Sequence, residues 1–363
     1  MEPVTHLAAG LLTAQALRPA LLPGKAAARG FTLLCCVAAT IPDVDSLSGL
    51  LGPESYLLHH RGLTHSIFFL PFFALLLAWA ARRLGADAPL RHGFMAAALA
   101  LMTHLFLDVA TTFGTQLFTP FSNTRISFEG VFIVDPIFTL ALLSFALAAR
   151  LSPRQSQTLA LCGLGLLLGY PMLGNALRLD MQARYEALLT ARGTSVERVS
   201  ITPDAFSPYY WKVVLEDGQE VRVTTATIFD LAAPHPVLRF LRLERSELLR
   251  LSQQASFFGT YAWFAIHPAE WPAQADGSAP PHARRFLDAA YVNASPVMAA
   301  LFRQKTGFAE CAAYFDDTGR LVAWSDWSGR THPVPEAGAG PASAKASSGT
   351  ATATDVRNSN MRP

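Results

Sequence analysis

Five stretches of 18 to 21 residues with very few charges divide the first half of the chain: Phe31–Leu51, Leu63–Ala81, Gly93–Ala110, Val131–Ala149 and Thr158–Leu177. A helix that crosses a bilayer takes about 20 apolar residues at about 1.5 Å of rise each. In lipid every backbone N–H and C=O must be satisfied within the protein, which leaves helices as the economical way to place such stretches. A sixth apolar run, Val4–Leu17, has 14 residues and reads as a short or partly embedded helix. The expectation is therefore a polytopic α-helical membrane bundle of about five to six helices.

The charge deficit is local. Asp, Glu, Lys and Arg make up 15% of the 363 residues, against about 25% in soluble globular proteins. The shortage lies in residues 1–180, the expected membrane-embedded domain. Residues 181–334 have ordinary charge content and read as a soluble α+β domain. Tyr209–Leu215 and Glu220–Thr225 flank Glu216-Asp217-Gly218-Gln219, a hairpin signature of β-branched and aromatic runs around Asp-Gly. Residues 308–327 predict a second hairpin turning at Asp316-Asp317-Thr318-Gly319, and residues 234–254 and 282–304 read as helices. From 335 to 363 the chain is mostly Ala, Gly, Ser and Thr, too poor in large apolar groups to bury a core, so a disordered tail is expected. A net charge of +2 gives no strong pull toward nucleic acid. The four cysteines have no CxxC spacing, which argues against a zinc knuckle or a disulfide framework. The N-terminus lacks the basic leader of a secretory signal.

Positive charge alternates along the linkers. Arg18, Lys25 and Arg29, then Arg82, Arg83 and Arg91, then Arg150 and Arg154 occupy every second one; the others hold only Arg61 and Arg125. The positive-inside rule makes the rich set cytoplasmic. Six crossings would then put the N-terminus and the C-terminal domain outside, in a multi-pass protein of the cytoplasmic (inner) membrane.

Ionisable side chains inside apolar helices are costly and point to function. Here they gather: Thr5-His6, Pro42-Asp43-Val44-Asp45, His59-His60-Arg61-Gly62-Leu63-Thr64-His65-Ser66, and His104 with Asp108. With the topology above, His6, Asp43, Asp45, His65, His104 and Asp108 all fall at the outer ends of their helices. His104 and Asp108 are four residues apart and share one helix face. Imidazole with carboxylate suits zinc or a similar divalent ion, and an open coordination position would hold water of lowered pKa for hydrolysis. Asp135 fits a helix cap as well as a ligand. His235, His267, His282 and His332 have no partner spacing and read as structural.

These motifs together, with Val134-Asp135-Pro136, resemble the predicted membrane-bound metal-dependent hydrolases, also described as LexA-binding inner-membrane-associated hydrolases. The resemblance covers residues 1–180 or so, and HRGLTHS is its most specific part. That family is distantly similar to zinc-dependent phospholipase C and related nucleases. The ligand order of those enzymes maps onto His6, Asp43, His65, His104 and Asp108; the later His and Glu ligands of their third zinc have no clear counterpart, Glu129 following too loosely. The resemblance implies hydrolysis of phosphoester or lipid-type substrates, at the outer membrane face given the topology above. Asp45, His60 and Arg61 would then be the catalytic groups, steering water or binding phosphate, since the Arg fork matches phosphate geometry. The alternatives are a non-enzymatic membrane regulator or scaffold whose metal is structural, and a transporter. The transporter reading is weakened because the ionisable groups gather at one face rather than at the midplane.

Overall fold

The computed structural model describes residues 1–21, 27–86, 88–231, 237–272, 282–296 and 308–335. Its first half is helical: α1 (Pro3–Leu21), α2 (Ala27–Thr40), α3 (Pro53–His59), α4 (Leu70–Arg83), α5 (Leu90–Val109), α6 (Pro136–Leu151) and α7 (Ser156–Ala191). Pro42 sits just past the end of α2, where a proline disfavours α geometry in the residue before it. The chain continues as a 3-10 helix, Ile41–Leu51, and a second short 3-10 turn, Leu63–His65, lies between α3 and α4.

Helix α5 is the centre of the bundle. It packs against α1, α2 and α4, and its small residues Gly93, Ala96, Ala97 and Ala100 are buried. Gly10 sets the distance between α1 and α2, because a Cβ there would lie 2.8 Å from the Cys35 carbonyl oxygen and the Cys36 Cα. Three helices are long and apolar enough to cross a membrane among the described residues: Arg29–Leu51, Leu90–Val109 and Ser156–Ala191. A fourth is added if Pro53–His65 and Leu70–Arg83, bent by 73° at their junction, count as one span. The expected five to six spanning helices are thus reduced to three or four. The fourth apolar stretch forms only the 16-residue α6, and α1 is interrupted by His6, Gln15 and Arg18.

Helix α7 has 36 residues, about 54 Å of helix against about 30 Å of hydrocarbon. Its surplus leaves the bundle: Met181 and Tyr185 pack with Ile201, Trp211 and Val213 of the second half. That half is built on a nine-stranded antiparallel meander in sequence order, β1 (Arg198–Pro203), β2 (Tyr210–Asp217), β3 (Glu220–Thr227), β4 (Leu238–Arg242), β5 (Pro268–Glu270), β6 (Ala283–Asp288), β7 (Cys311–Phe315), β8 (Leu321–Ser325) and β9 (Thr331–Pro333). Two short helices, α8 (Arg245–Leu251) and α9 (Phe257–Phe264), join β4 to β5.

Both expected hairpins form. β2 pairs with β3 from Tyr210↔Thr227 to Asp217↔Glu220, and Gly218 takes the left-handed φ of +51° that the turn requires. β7 and β8 make the other. Two expected helices differ. Residues 238–242 form β4, because Phe240 is buried against the sheet opposite Val221, and only Arg245–Leu251 of that segment is helical. Residues 283–288 form β6; pairing with β5 and β7 overrides local helix propensity. Residues 234–236, 297–304 and the expected tail, 336–363, lie outside the described residues.

The two halves share a core. Leu57 of α3 and Phe113 of the loop after α5 are buried with Leu248, Phe257, Tyr261, Phe264 and Phe286. Glu54 accepts hydrogen bonds from Ser256 (2.8 Å) and Thr260 (3.0 Å). Arg125 donates to the carbonyl of Phe264 (2.6 Å) and to that of Phe113, and its guanidinium lies over both rings.

Candidate metal centre

The local fold brings the ionisable residues to one end of the bundle. The 3-10 helix after α2 carries Asp43 and Asp45. With about 3.0 residues per turn, two positions two apart point about 240° from each other. The two carboxylates therefore approach the His65 ring from opposite edges: Asp43 Oδ1 lies 3.7 Å from Nε2, and Asp45 Oδ2 lies 3.1 Å from Nδ1. His65 itself sits in the short 3-10 turn, set by the tight loop before it. There Arg61 has a φ of +59°, and the Gly62 N–H donates to the His59 carbonyl at 2.9 Å. A Cβ at residue 62 would lie 2.8 Å from that carbonyl oxygen, so only glycine fits. His104 and Asp108 come from one face of α5.

Four donor atoms converge: Asp43 Oδ1, His65 Nε2, His104 Nε2 and Asp108 Oδ2. The His65–His104 separation is 3.0 Å, His65–Asp108 3.0 Å, His104–Asp108 3.3 Å, and Asp43 lies 3.7 Å from each imidazole. Nitrogen and oxygen donors about 2.0–2.1 Å from a tetrahedral ion are about 3.3–3.4 Å apart. The measured edges bracket that spacing. His65, His104 and Asp108 are fully buried, whereas the Asp43 side chain is 23% exposed and forms the open side. Although Asp108 Oδ2 lies 3.0 Å from His65 Nε2, the two are not aligned as a hydrogen bond, and Oδ2 has no such partner. A buried carboxylate oxygen without one is costly, and a divalent ion would satisfy it. The residues therefore fit a divalent metal.

His6 adjoins this set from α1. Its ring stacks on His104 with centroids 3.9 Å apart. Its Nε2 faces the remaining carboxylate oxygens, 3.3 Å from Asp108 Oδ1 and 3.9 Å from Asp43 Oδ2. Both its ring nitrogens are buried without a hydrogen-bond partner. Four of the five expected ligands bring donor atoms together, and His6 adjoins them, stacked on His104.

Second partners orient the imidazoles. His104 Nδ1 is 2.7 Å from the Ala39 carbonyl, which accepts only if Nδ1 carries the proton, leaving the Nε2 lone pair for a metal. Asp45 faces His65 Nδ1 at 3.1 Å, and Thr64 Oγ1 lies 3.0 Å from the same nitrogen. Asp45 also accepts from His60 Nδ1 (2.7 Å), the Arg61 N–H (2.9 Å) and Thr64 Oγ1 (2.5 Å). Arg61 is buried. It donates to Asp108 Oδ1 (3.0 Å), the Asp108 carbonyl (3.0 Å) and Thr111 Oγ1 (2.7 Å). The three expected catalytic residues lie beside the expected ligands: Asp45 faces His65 at 3.1 Å and Arg61 pairs with Asp108 at 3.0 Å. His60 keeps Nε2 uncommitted, between the rings of Tyr56 and Phe113.

Asp135 is a helix cap. It accepts from the Phe138 N–H (3.0 Å) and the Tyr170 hydroxyl (2.8 Å) and does not join the cluster. Glu129 pairs with Arg178 at 3.5 Å. His267, His282 and His332 pair with Glu216, Asp317 and Asp326, while His235 lies outside the described residues. Three partners escaped the sequence reading: the Ala39 carbonyl, Thr111, and the Met1 amine, which bonds Asp108. A backbone carbonyl carries no sequence signal, and nothing local marks the other two.

A family model described as YdjM inner membrane protein matches residues 1–177, the helical half with the whole cluster. The uncharacterized protein YfhP of Bacillus subtilis is 25% identical over 146 residues, 40% of this chain and 45% of that protein. The chain thus spans less than half the length of that relative. No solved structure matches. Neither description mentions a hydrolase or a phospholipase, so that part of the resemblance rests on the motifs. The family match and the apolar helices support an inner-membrane location.

Proposed function

We propose that this chain is a membrane-bound metal-dependent hydrolase acting on phosphoester or lipid-type substrates at the outer face of the inner membrane. The observation that carries the reading is the convergence of two imidazole nitrogens and two carboxylate oxygens at 3.0–3.7 Å, each imidazole locked from behind by its own partner. Asp43, His65, His104 and Asp108, with His6 alongside, would hold a divalent ion, zinc by the chemistry of the donors. Such an ion supplies Lewis acidity and water of lowered pKa. The residues of the chain do the rest. Asp43 leaves the site open on one side. Asp45 holds His60 through Nδ1 at 2.7 Å, and His60, Asp45 and Asp43 each bring a donor atom within 4.8 Å of the others, so His60 would be the proton carrier of the site. Arg61 offsets the charge of Asp108 and fixes its rotamer.

The purified chain is expected to hydrolyse a member of a phosphodiester and phospholipid panel, with loss of turnover on chelation and recovery on adding zinc. Bound metal with no turnover on any member would instead favour a regulator or scaffold with a structural metal.

The outer-face assignment rests on charge. Arg18, Arg29 and Arg150 line one surface pocket, with Arg29 near the start of α2 and the cluster beyond the other end of that helix. Arg150 closes α6, so α6 runs to the arginine-rich end despite its 16 residues. That leaves α7 to return the chain to the cluster side. A reporter fused after residue 185 is expected outside the cytoplasm, and one near Ala86 inside. Both in one compartment would refute this topology.

A further inference from the structure

Between the bundle and the sheet lies a cavity of about 280 Å³. Tyr56 and Phe113 form its bundle side, Ile133 its rim, and Tyr291 and Phe308 its sheet side. One cation enters it. Lys212 of β2 is 3% exposed, and its Nζ donates to the Ala290 carbonyl at 2.7 Å. Among the described residues no carboxylate pairs with this ammonium within 4 Å. The carboxylates around it are engaged elsewhere. Asp288 accepts the N–H groups of Ile266, His267 and Ala290; Asp204 accepts those of Ala205 and Ser295; Glu129 pairs with Arg178. Burial pushes the Lys212 ammonium below its ordinary pKa, against the pull of those more distant carboxylates.

An ammonium has three donors, and among the described residues one is used, by the Ala290 carbonyl. A buried charge without a counter-ion is destabilising, and the strand would be more stable with an apolar residue at 212. An anion would balance this charge. Apart from Thr112 and Asn293 the rest of the wall is mainly aromatic and aliphatic, with Tyr56, Phe113, Phe132, Ile133 and Phe308 among it, so that anion should carry an apolar part. The cavity also abuts the candidate centre: Tyr56 stacks on His60 at 4.8 Å, and Phe113 lies 5.3 Å from the same ring.

We infer that this cavity binds the phosphate-bearing head of a membrane lipid, with Lys212 taking the phosphate and the aromatic wall the adjoining carbons. The inference names the substrate class of the proposed hydrolase and rests on that reading for the fate of the lipid, not for its binding. The sheet half would then supply substrate recognition to the helical half.

The test is binding to the full chain in detergent, using dioctanoyl phosphatidic acid, inorganic phosphate and dioctanoylglycerol as separate probes. Saturable binding of phosphatidic acid is expected, with each fragment at least a hundredfold weaker. Lys212→Gln should weaken phosphatidic acid at least tenfold without changing metal content. Lys212→Met should unfold at or above the wild-type temperature without lipid, and phosphatidic acid should no longer raise that temperature. Chelator-treated wild type should still bind the lipid, which separates this inference from the hydrolase reading. Wild-type affinity in Lys212→Gln, or inorganic phosphate binding as tightly as the lipid, would overturn it. So would lipid binding that disappears with the metal.

Discussion

Replacing Asp108 with asparagine is expected to lower bound metal by orders of magnitude and to destabilise the chain more than any other single change at the cluster. Asp108 is fully buried and meets five groups: the Met1 amine, Arg61 at 3.0 Å, His65 at 3.0 Å, and His6 and His104 at 3.3 Å each. Asparagine keeps the shape, loses the charge, and turns an N–H₂ toward either the cations or the imidazole nitrogens. Removing one partner of a buried charge cluster costs about 3–5 kcal/mol. Thermal unfolding of purified protein, paired with elemental analysis, checks both parts. Added zinc should raise the unfolding temperature of the wild type, with about 2.7 kcal/mol gained at a hundredfold excess over Kd. It should leave Asp108→Asn unmoved. Equal zinc shifts in the two proteins would mean that any ion they bind lies elsewhere.

Asp45→Asn should behave differently, because Asp45 touches the ligands and not the ligand sphere. Its carboxylate accepts from His60, Arg61 and Thr64 and lies 3.1 Å from His65 Nδ1. An amide satisfies at most part of them, and the His65 ring loses the anion that orients it. Second partners of this kind are worth about 10–100-fold in metal affinity. The variant should therefore bind metal with that loss of affinity, yet reach wild-type stoichiometry when metal saturates. Competition with a chromogenic chelator reads both quantities. Unchanged affinity with lost turnover would make Asp45 a catalytic residue after all; zero stoichiometry at saturation would make it a ligand.

Much of this was legible in the sequence, for reasons that can be stated. Apolar length marks α2, α4, α5 and α7, and the polar interruptions mark the end of the bundle where Asp43, His65, His104 and Asp108 meet. Their clustering follows from helix spacing and from linker charge. Whether a carboxylate faces the donor cluster or the histidine behind it depends on a rotation of one 3-10 turn, which the spacing Asp43-Val44-Asp45 does not show, and the left-handed loop that sets Arg61 leaves no sequence mark either. The 16-residue α6 shows the limit of hydropathy: Val131–Ile133 are as apolar as a helix but serve as the rim that carries the Glu2 contact and the cavity wall. β4 and β6 are set by neighbours distant in sequence. Lys212 had a faint signal, a lysine inside the run Tyr210–Leu215. Both faces of that strand are buried, one against α7 and one against Phe240 and Leu287, so no alternation marked it.

The most direct measurement is the metal content of the full chain, purified without chelator and compared with its Asp43→Ala, His65→Ala, His104→Ala and Asp108→Ala variants, with His282→Ala as control. His282 lies on the sheet half beside Asp317, far in sequence from the cluster. The expected result is a stoichiometric divalent ion in the wild type and in His282→Ala, and little or none in the other four. A wild-type chain that binds no divalent metal even when zinc is supplied, or four variants that keep it fully, would contradict the metal centre.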